Sequence, residues 1–589
     1  MCGIAGEIRF DGRPADRHAV ERMTERQSAR GPDADGFFHD GRVALGHRRL
    51  KIIDLSKRAA QPMVDEDLGL VIVFNGCIYN YRELKLELED FGHRFRTTSD
   101  TEVILKAYAE WGEECVERFN GMFAFAIFDR RSGRVFIARD RLGIKPLYYR
   151  ETPGSLRFAS SLPALLEDGS SSPGVDPVAL HHYMSFHSVV PAPRTILKGY
   201  GKLPPATRMT LEPDGKRRVA RYWSPAFKRN GKAKAEFPAL KEQLIETVGR
   251  AVRRRMVADV PVGVLLSGGV DSSLVVGMLA LHGAQRLETF TIGFESAGGE
   301  QGNEFEYSDL IAKTFGTTHH KIRVDSAGLV EHLPACFEAM SEPMTSHDNI
   351  AFFLLSREVS KHVKVVQSGQ GADELFGGYF WYPPLLHSRD PVGDYSREFF
   401  DRDHDEMAEA LDPGMLDGDH SLEFVARHFE SANASRAVDK ALHLDTTVML
   451  VDDPVKRVDN MTMAFGLEAR VPFLDHELVE VAAAIPPELK VAGTGKFVLK
   501  EAARAILPHE VIDRKKGYFP VPELKYLHGR SLEFVKDAMS SRAAKERGLW
   551  RRDYVDRLLD APSEHLTPLN GSKLWQVAAL ETWLQTHRA

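Results

Sequence analysis

The chain is predicted to fold as an α/β protein in two parts, a layered α+β sandwich followed by an α/β unit built on a parallel sheet. Three observations predict this. First, 589 residues exceed what one hydrophobic core organises, so two or more domains are expected. Second, the first 150 residues read as short strands with two helices, and the strands Met122–Phe128 and Arg134–Ala138 flank a Ser132-Gly133 turn, a hairpin signal that suits a layered sheet. Third, Val262–Leu266, then Ser267-Gly268-Gly269, then Leu274–Leu281 read as a buried strand, a glycine-rich loop and a helix, the repeating unit of parallel sheets.

Composition narrows the class. With 43% hydrophobic and 27% charged residues the balance is that of a soluble globular protein. No run approaches bilayer-spanning length, and the first residues lack the basic-then-apolar pattern of a signal peptide, so a cytoplasmic location and no membrane partner are expected. Four cysteines, Cys2, Cys77, Cys115 and Cys336, show no close pairing and fit a reducing compartment better than a disulfide framework or zinc site. His-rich metal spacing is missing as well. A net charge of −7 gives no support for nucleic-acid binding. Polar, Gly- and Pro-punctuated stretches at Gly169–Asp176 and Lys228–Lys234 are boundary candidates. They suggest a first domain over residues 1–190, a connecting segment over 191–230, and a second domain over 231–589 with a helical C-terminal part.

At the amino terminus, removal of Met1 would leave Cys2 carrying both a thiol and a free α-amine. These groups titrate near about 8.5 and about 7.7–8.0, so at neutral pH they can exchange a proton through one bridging water. A thiolate attacking a carboxamide builds an oxyanion, which needs donors aimed at it. The Asn75 side-chain amide and the Gly76 backbone N–H can supply two. They follow the apolar run Leu70–Phe74, which places them at a strand end; a plain Asn-Gly hairpin turn is the competing reading.

The glycine-rich stretch after Val262 has its own chemistry. A strand, small residues and a helix start aim backbone N–H groups and a positive helix end at phosphate oxygens, and Asp271 adds a carboxylate able to hold Mg²⁺ against that anion.

Arg30-Gly31-Pro32-Asp33, His47-Arg48-Arg49-Leu50, Phe74–Asn80, Ser99–Glu102 and Arg139–Tyr148 occur in that order. With Cys2 they resemble the glutaminase domain of class II glutamine amidotransferases, which has the N-terminal-nucleophile fold. The resemblance implies Cys2 as nucleophile, Asn75 and Gly76 as oxyanion donors, and a glutamine site at Arg49, Leu50, Lys51, Ile52, Ile53, Asn75, Gly76, Cys77 and Asp100. In it Arg49 would clamp the α-carboxylate and Asp100 the α-ammonium. One departure stands out: such domains commonly read Asn-Gly-Glu where this chain has Asn75-Gly76-Cys77.

Ser267–Ser273 resembles the pyrophosphate loop of ATP pyrophosphatases, and differs from the Gly-x-x-x-x-Gly-Lys loop of γ-phosphate transferases. This implies α–β cleavage of ATP, releasing AMP and pyrophosphate. Phe290–Phe294, Ser368–Tyr379, Gly466–Asp475 and Gly495–Glu501 resemble the synthetase domain of the asparagine synthetase family, and the whole resemblance covers roughly residues 2–525. It implies ATP contacts at Leu265, Ser267, Gly268, Gly269, Asp271, Ser272, Ile292, Ser368 and Gly369, Mg²⁺ at Asp271 and Asp373, and Lys496 stabilising the departing pyrophosphate. Two such domains imply one reaction: ammonia freed from glutamine amidates an acyl-adenylate, travelling by an internal passage expected from the family.

The acid is read from departures. Asparagine synthetases typically have Ser-Gly-Glu-Gly where this chain has Ser368-Gly369-Gln370-Gly371, and Gln370 cannot take a proton, so either another group such as Glu374 or the phosphate serves as base, or the bound substrate changes the requirement. His347 stands about where one branch of that family places an arginine. The aromatic run Tyr379–Pro384 either widens substrate recognition or packs the core. With Phe74–Tyr81, these features resemble the N-acetylglutaminylglutamine amidotransferases. That resemblance implies amidation of an acetylated dipeptide to make a bacterial osmoprotectant, a partner dipeptide ligase, and leaves a homodimer open. Three other readings stay open: an asparagine synthetase acting on aspartate, a β-lactam-forming relative, and a non-catalytic binding or regulatory protein.

Overall fold

The computed structural model describes residues 2–167, 169, 173–227, 237–284, 286–294, 303–324, 328–514 and 522–589. Two antiparallel six-stranded sheets form the first part. One runs Tyr200–Lys202, Tyr148–Thr152, Ser155–Ala159, Gly3–Arg9, Val43–Arg49, Ala34–Asp40 in spatial order; the other runs Arg217–Arg221, Thr207–Leu211, Val135–Arg139, Gly121–Asp129, Leu70–Ile78, Met63–Asp65. Alternate residues of facing strands meet between them: Ile4, Ile8, Leu45 and Phe158 pack against Val71, Val73, Ala124 and Ile137. Such alternation is what a strand with both faces covered requires. The outer face of the second sheet carries Ile72, Phe74, Phe123 and Phe125 against Leu84, Leu88 and Ile104 of the helices Tyr81–Asp90 and Asp100–Trp111. Helix Arg17–Glu25 covers the first sheet through Val20 and Met23, completing a four-layer sandwich.

The expected hairpin forms. Phe125 pairs with Ala138 and Ile127 with Phe136, and the Asp129 carboxylate closes the turn by accepting from the Ser132 hydroxyl at 2.5 Å and the Arg131 backbone N–H at 2.9 Å. The Asn75-Gly76 pair behaves differently from both readings of it. The strand continues through it to Ile78, with Asn75 opposite Ala124 and Gly76 opposite Phe123, so it makes neither a strand end nor a turn. Residues 191–221, read as mostly connecting segment, supply three strands to the two sheets. Short strands with exposed polar faces, such as Arg217–Arg221, carry too little apolar alternation to announce themselves. The Lys228–Lys234 boundary candidate lies outside the described residues.

The second part is built on a five-stranded parallel sheet in the order Thr318–Val324, Glu288–Phe294, Val262–Leu265, Val365–Gln367, Glu468–Arg470. Its central strands are apolar because helices cover both faces. In open parallel sheets, ligands gather outside the carboxyl ends of strands. Here that edge carries the Ser267–Gly269 loop and the Ser368–Gly371 loop. No helix among the described residues is long and apolar enough to cross a membrane.

Candidate functional sites

Cys2 opens the first strand and is 7% exposed. Its backbone nitrogen, the atom that becomes the α-amine once Met1 is removed, donates to Asn75 Oδ1 at 3.0 Å. This fixes the Asn75 amide so that Nδ2, buried without a hydrogen-bond partner, remains as a donor. A buried orphan donor is costly unless a ligand satisfies it. Gly76 is required by close approach: a Cβ there would meet Met122 O at 2.1 Å. Burial raises the Cys2 thiol pKa, opposed by a hydrogen bond from the Leu50 backbone and the charge of Arg49.

A cavity of about 30 Å³ opens beside Cys2, lined among others by Arg49, Leu50, Ile52, Ile53, Gly76, Cys77 and Asp100. Lys51 and Asn75 are absent from that lining; the Lys51 backbone N–H bonds Asp33 Oδ2 at 2.8 Å. The Arg49 guanidinium is aimed by the Ser56 and Asp54 carbonyls, at 2.9 and 2.5 Å. Asp100 sits in the first turn of its helix, capped by Ser99, and accepts from the Ile78 N–H at 3.1 Å. Burial pushes its carboxyl up to about 6. Cys77 is buried with its thiol pKa pushed up, 3.8 Å from Arg470 Nη2.

Glu468 and Arg470, from the last strand of the second part's sheet, also line this cavity. No role was assigned to them from the sequence, because nothing local marks a strand 390 residues away as a wall of the Cys2 site. Arg470 is held by Glu468 Oε1 at 2.5 Å and by the Arg255 and Val257 carbonyls. Its own carbonyl accepts from the Ser368 N–H at 2.8 Å. Burial alone would raise the Glu468 carboxyl; neighbouring cations, Arg470 and Lys145 among them, bring it down to about 2.

At the other site, helix Val270–Leu281 starts directly after the glycine loop with Asp271 in its first turn. Ser267 and Ser272 tie the loop through their hydroxyls at 3.0 Å. Gly268 has φ +76°, and a Cβ there would meet Ser308 N at 2.8 Å; one at Gly369 would meet Ser272 N at 2.8 Å. Both loops therefore pack backbone to backbone. Lys496, the left-handed residue that begins helix Phe497–Ala503, places Nζ 2.7 Å from Asp271 Oδ2 and 3.0 Å from Asp373 Oδ1. Burial alone would lower its pKa, but the two carboxylates outweigh this and raise it. The three residues that the sequence separates by 225 positions thus share one point, and two carboxylates able to converge on an ammonium are also able to converge on Mg²⁺. Leu265 and Ile292 are 7% and 2% exposed, Ile292 within the core beside Phe290 and Phe294.

The aromatic run resolves mainly as core. Tyr379 stacks on Trp381 with ring centroids 4.3 Å apart, and Trp381, Tyr382 and Tyr395 all donate to the buried Asp445 carboxylate. Phe380 alone in this run is large and exposed.

Two family descriptions match: "Glutamine amidotransferase domain" over residues 1–223 and "Asparagine synthase" over residues 243–585. Asparagine synthetase [glutamine-hydrolyzing] 1 of Bacillus subtilis is 33% identical over 99% of this chain and 96% of its own length. Asparagine synthetase [glutamine-hydrolyzing] 3 of the same organism is 32% identical over 100% and 99%, and asparagine synthetase [glutamine-hydrolyzing] 2 of rice is 30% identical over 96% and 80%. A solved glutamine phosphoribosylpyrophosphate amidotransferase from B. subtilis, 14% identical, covers 56% of this chain and 92% of that chain at a TM-score of 0.31, too low to argue from. Fold, sites and matches together define an ATP-dependent, glutamine-hydrolysing amidotransferase of ligase type. Within that class, the chain belongs to the asparagine synthetase family.

Proposed function

We propose that this enzyme frees ammonia from glutamine at Cys2 and uses it to amidate an acid adenylated at the Asp271–Asp373–Lys496 site, with aspartate as the first acid to test. The observation that carries the reading is the anchoring of Cys2 nitrogen on Asn75 Oδ1, with Asn75 Nδ2 left as a buried donor without a partner. Once Met1 is removed, the α-amine takes the thiol proton and the thiolate attacks the glutamine carboxamide. Asn75 Nδ2 and the Gly76 N–H receive the oxyanion, and the amine returns the proton to the departing ammonia. Arg49 and Asp100 hold the two charged ends of the amino acid.

In the second site, backbone N–H groups of the Ser267–Gly269 loop and the start of the following helix cradle phosphate, with Ser368 and Gly369 opposite. Asp271 and Asp373 would hold Mg²⁺, which supplies charge neutralisation at the phosphates. Lys496 moves from its carboxylates to the pyrophosphate as negative charge accumulates there.

Relatives named asparagine synthetase and an aromatic run spent largely on the core support a small dicarboxylic acid. Gln370 and Cys77 favour a second reading, amidation of an acetylated glutaminyl dipeptide. The test is pyrophosphate release with ATP, glutamine and each acid in turn, with the amide identified by mass. Aspartate turnover alone supports the first reading; dipeptide turnover alone transfers the assignment to the second.

A further inference from the structure

Helix Pro177–Ser185 follows the last helix of the sandwich's flank, and helices His404–Ala410 and His420–Ser431 belong to the helical part of the second half. Where the three meet, His181 Nε2 lies 3.3 Å from His404 Nδ1 and 3.8 Å from Asp419 Oδ1, and the three ligand-type atoms all fall within 4.8 Å of one another. The geometry points to a binding site for a divalent transition-metal cation of the zinc class at His181, His404 and Asp419.

Zinc–nitrogen bonds of about 2.0–2.1 Å at a tetrahedral angle put two imidazole nitrogens about 3.3 Å apart, the separation found between His181 and His404. The Asp419 carboxylate, within 4.8 Å of both nitrogens, has to close on them to complete the set. Two imidazoles with one carboxylate select the zinc group over Mg²⁺ or Ca²⁺, which take oxygen ligands.

The surroundings set the tautomer that a ligand needs. His181 is 1% exposed. Its Nδ1 lies 2.8 Å from Ser421 Oγ, which lies in turn 3.1 Å from His182 Nδ1. The Ser421 hydroxyl donates to the His181 carbonyl at 3.4 Å, so Ser421 Oγ can accept from His181 Nδ1–H, and His181 Nε2 then carries its lone pair toward the cluster, the outer-shell arrangement of metal-bound histidines. His404 presents Nδ1 by carrying its proton on Nε2. Water completes the coordination on the side where His404 and Asp419 are half-buried. Bound there, the cation staples a helix of the first part to two helices of the second part. The reacting groups lie elsewhere, so the role is structural.

The full chain, stripped with a chelator and dialysed against ZnCl₂, tests this by elemental analysis and thermal unfolding. The wild type is expected to retain one more equivalent of zinc than His404→Ala or Asp419→Asn, and to show a zinc-dependent rise in unfolding temperature that both variants lose. Asp419→Asn keeps an oxygen for the helix cap and guards against loss of fold. Ser421→Ala should weaken zinc binding about 10–100-fold. Equal zinc content and equal unfolding temperatures in the wild type and both variants would overturn the site.

Discussion

Asn75 sets the two ends of one amide apart: Oδ1 anchors the Cys2 nitrogen while Nδ2 is buried without a partner. Replacing it with alanine removes an oxyanion donor and should lower glutaminase kcat by about 10²–10³, read as glutamate release. Ammonia-driven amide synthesis should be unaffected. Asp100 gives a pH test. Its carboxyl is raised from an ordinary 3.8 to about 6, so its contribution to folding is complete below about pH 4 and is lost as pH rises through 6. Holding the glutamine ammonium needs the ionised form. The KM for glutamine is therefore expected to climb as pH falls through 6, and Asp100→Asn should raise KM at neutral pH and flatten that climb. Cys2, Arg49 and Asp100 could be picked out of the sequence because each stands at a motif position, and the fold brings the three to one cavity. The orphaned Nδ2 could not be, since burial and partnering exist only in the fold.

At the scale of elements, the glycine loop and its helix were readable from apolar strand, small residues and apolar helix in succession, and they formed as expected. Lys496 was harder. A lysine at a helix start reads as solvated surface, and only the approach of three segments shows it buried between Asp271 and Asp373. Lys496→Ala removes the ammonium that bridges Asp271 and Asp373 and should lower the midpoint of denaturant unfolding. The same variant should abolish pyrophosphate release with either nitrogen source and leave glutamine hydrolysis in place. The strand Leu70–Ile78 taught the opposite lesson: an Asn-Gly pair favours a turn locally, but ladder pairing with Met122–Phe128 on the neighbouring strand carries the strand through it.

Across the whole molecule, the two halves share buried charge. Asp459 of the second part accepts Arg30 Nη1 at 2.8 Å and Lys145 Nζ at 3.1 Å from the first, and Arg30 also reaches the Cys2 carbonyl at 3.3 Å. Burial would raise the Asp459 carboxyl, but Arg30 and Lys145 outweigh it and hold it below the ordinary range. That stability is present above the unfolded carboxylate pKa and is lost on acidification. Asp459→Ala removes the carboxylate that Arg30 and Lys145 share and should lower stability to denaturant, with glutamine-driven synthesis falling further than ammonia-driven synthesis because the Arg30 that reaches the Cys2 carbonyl loses its anchor. Sequence order gave the two halves and their separate chemistries. It carried no sign that Glu468 and Arg470 wall the Cys2 cavity, because contacts between halves follow from packing that no local pattern encodes.

The central claim is that amide nitrogen is cut from glutamine at Cys2 and delivered to an acid activated in the other half. Glutamine labelled with ¹⁵N at its amide, supplied with ATP and the accepted acid, tests it directly. The wild type should place the label in the product amide, and Cys2→Ala should place none while still forming amide from added ammonium. Labelled amide from the Cys2→Ala enzyme would contradict the account.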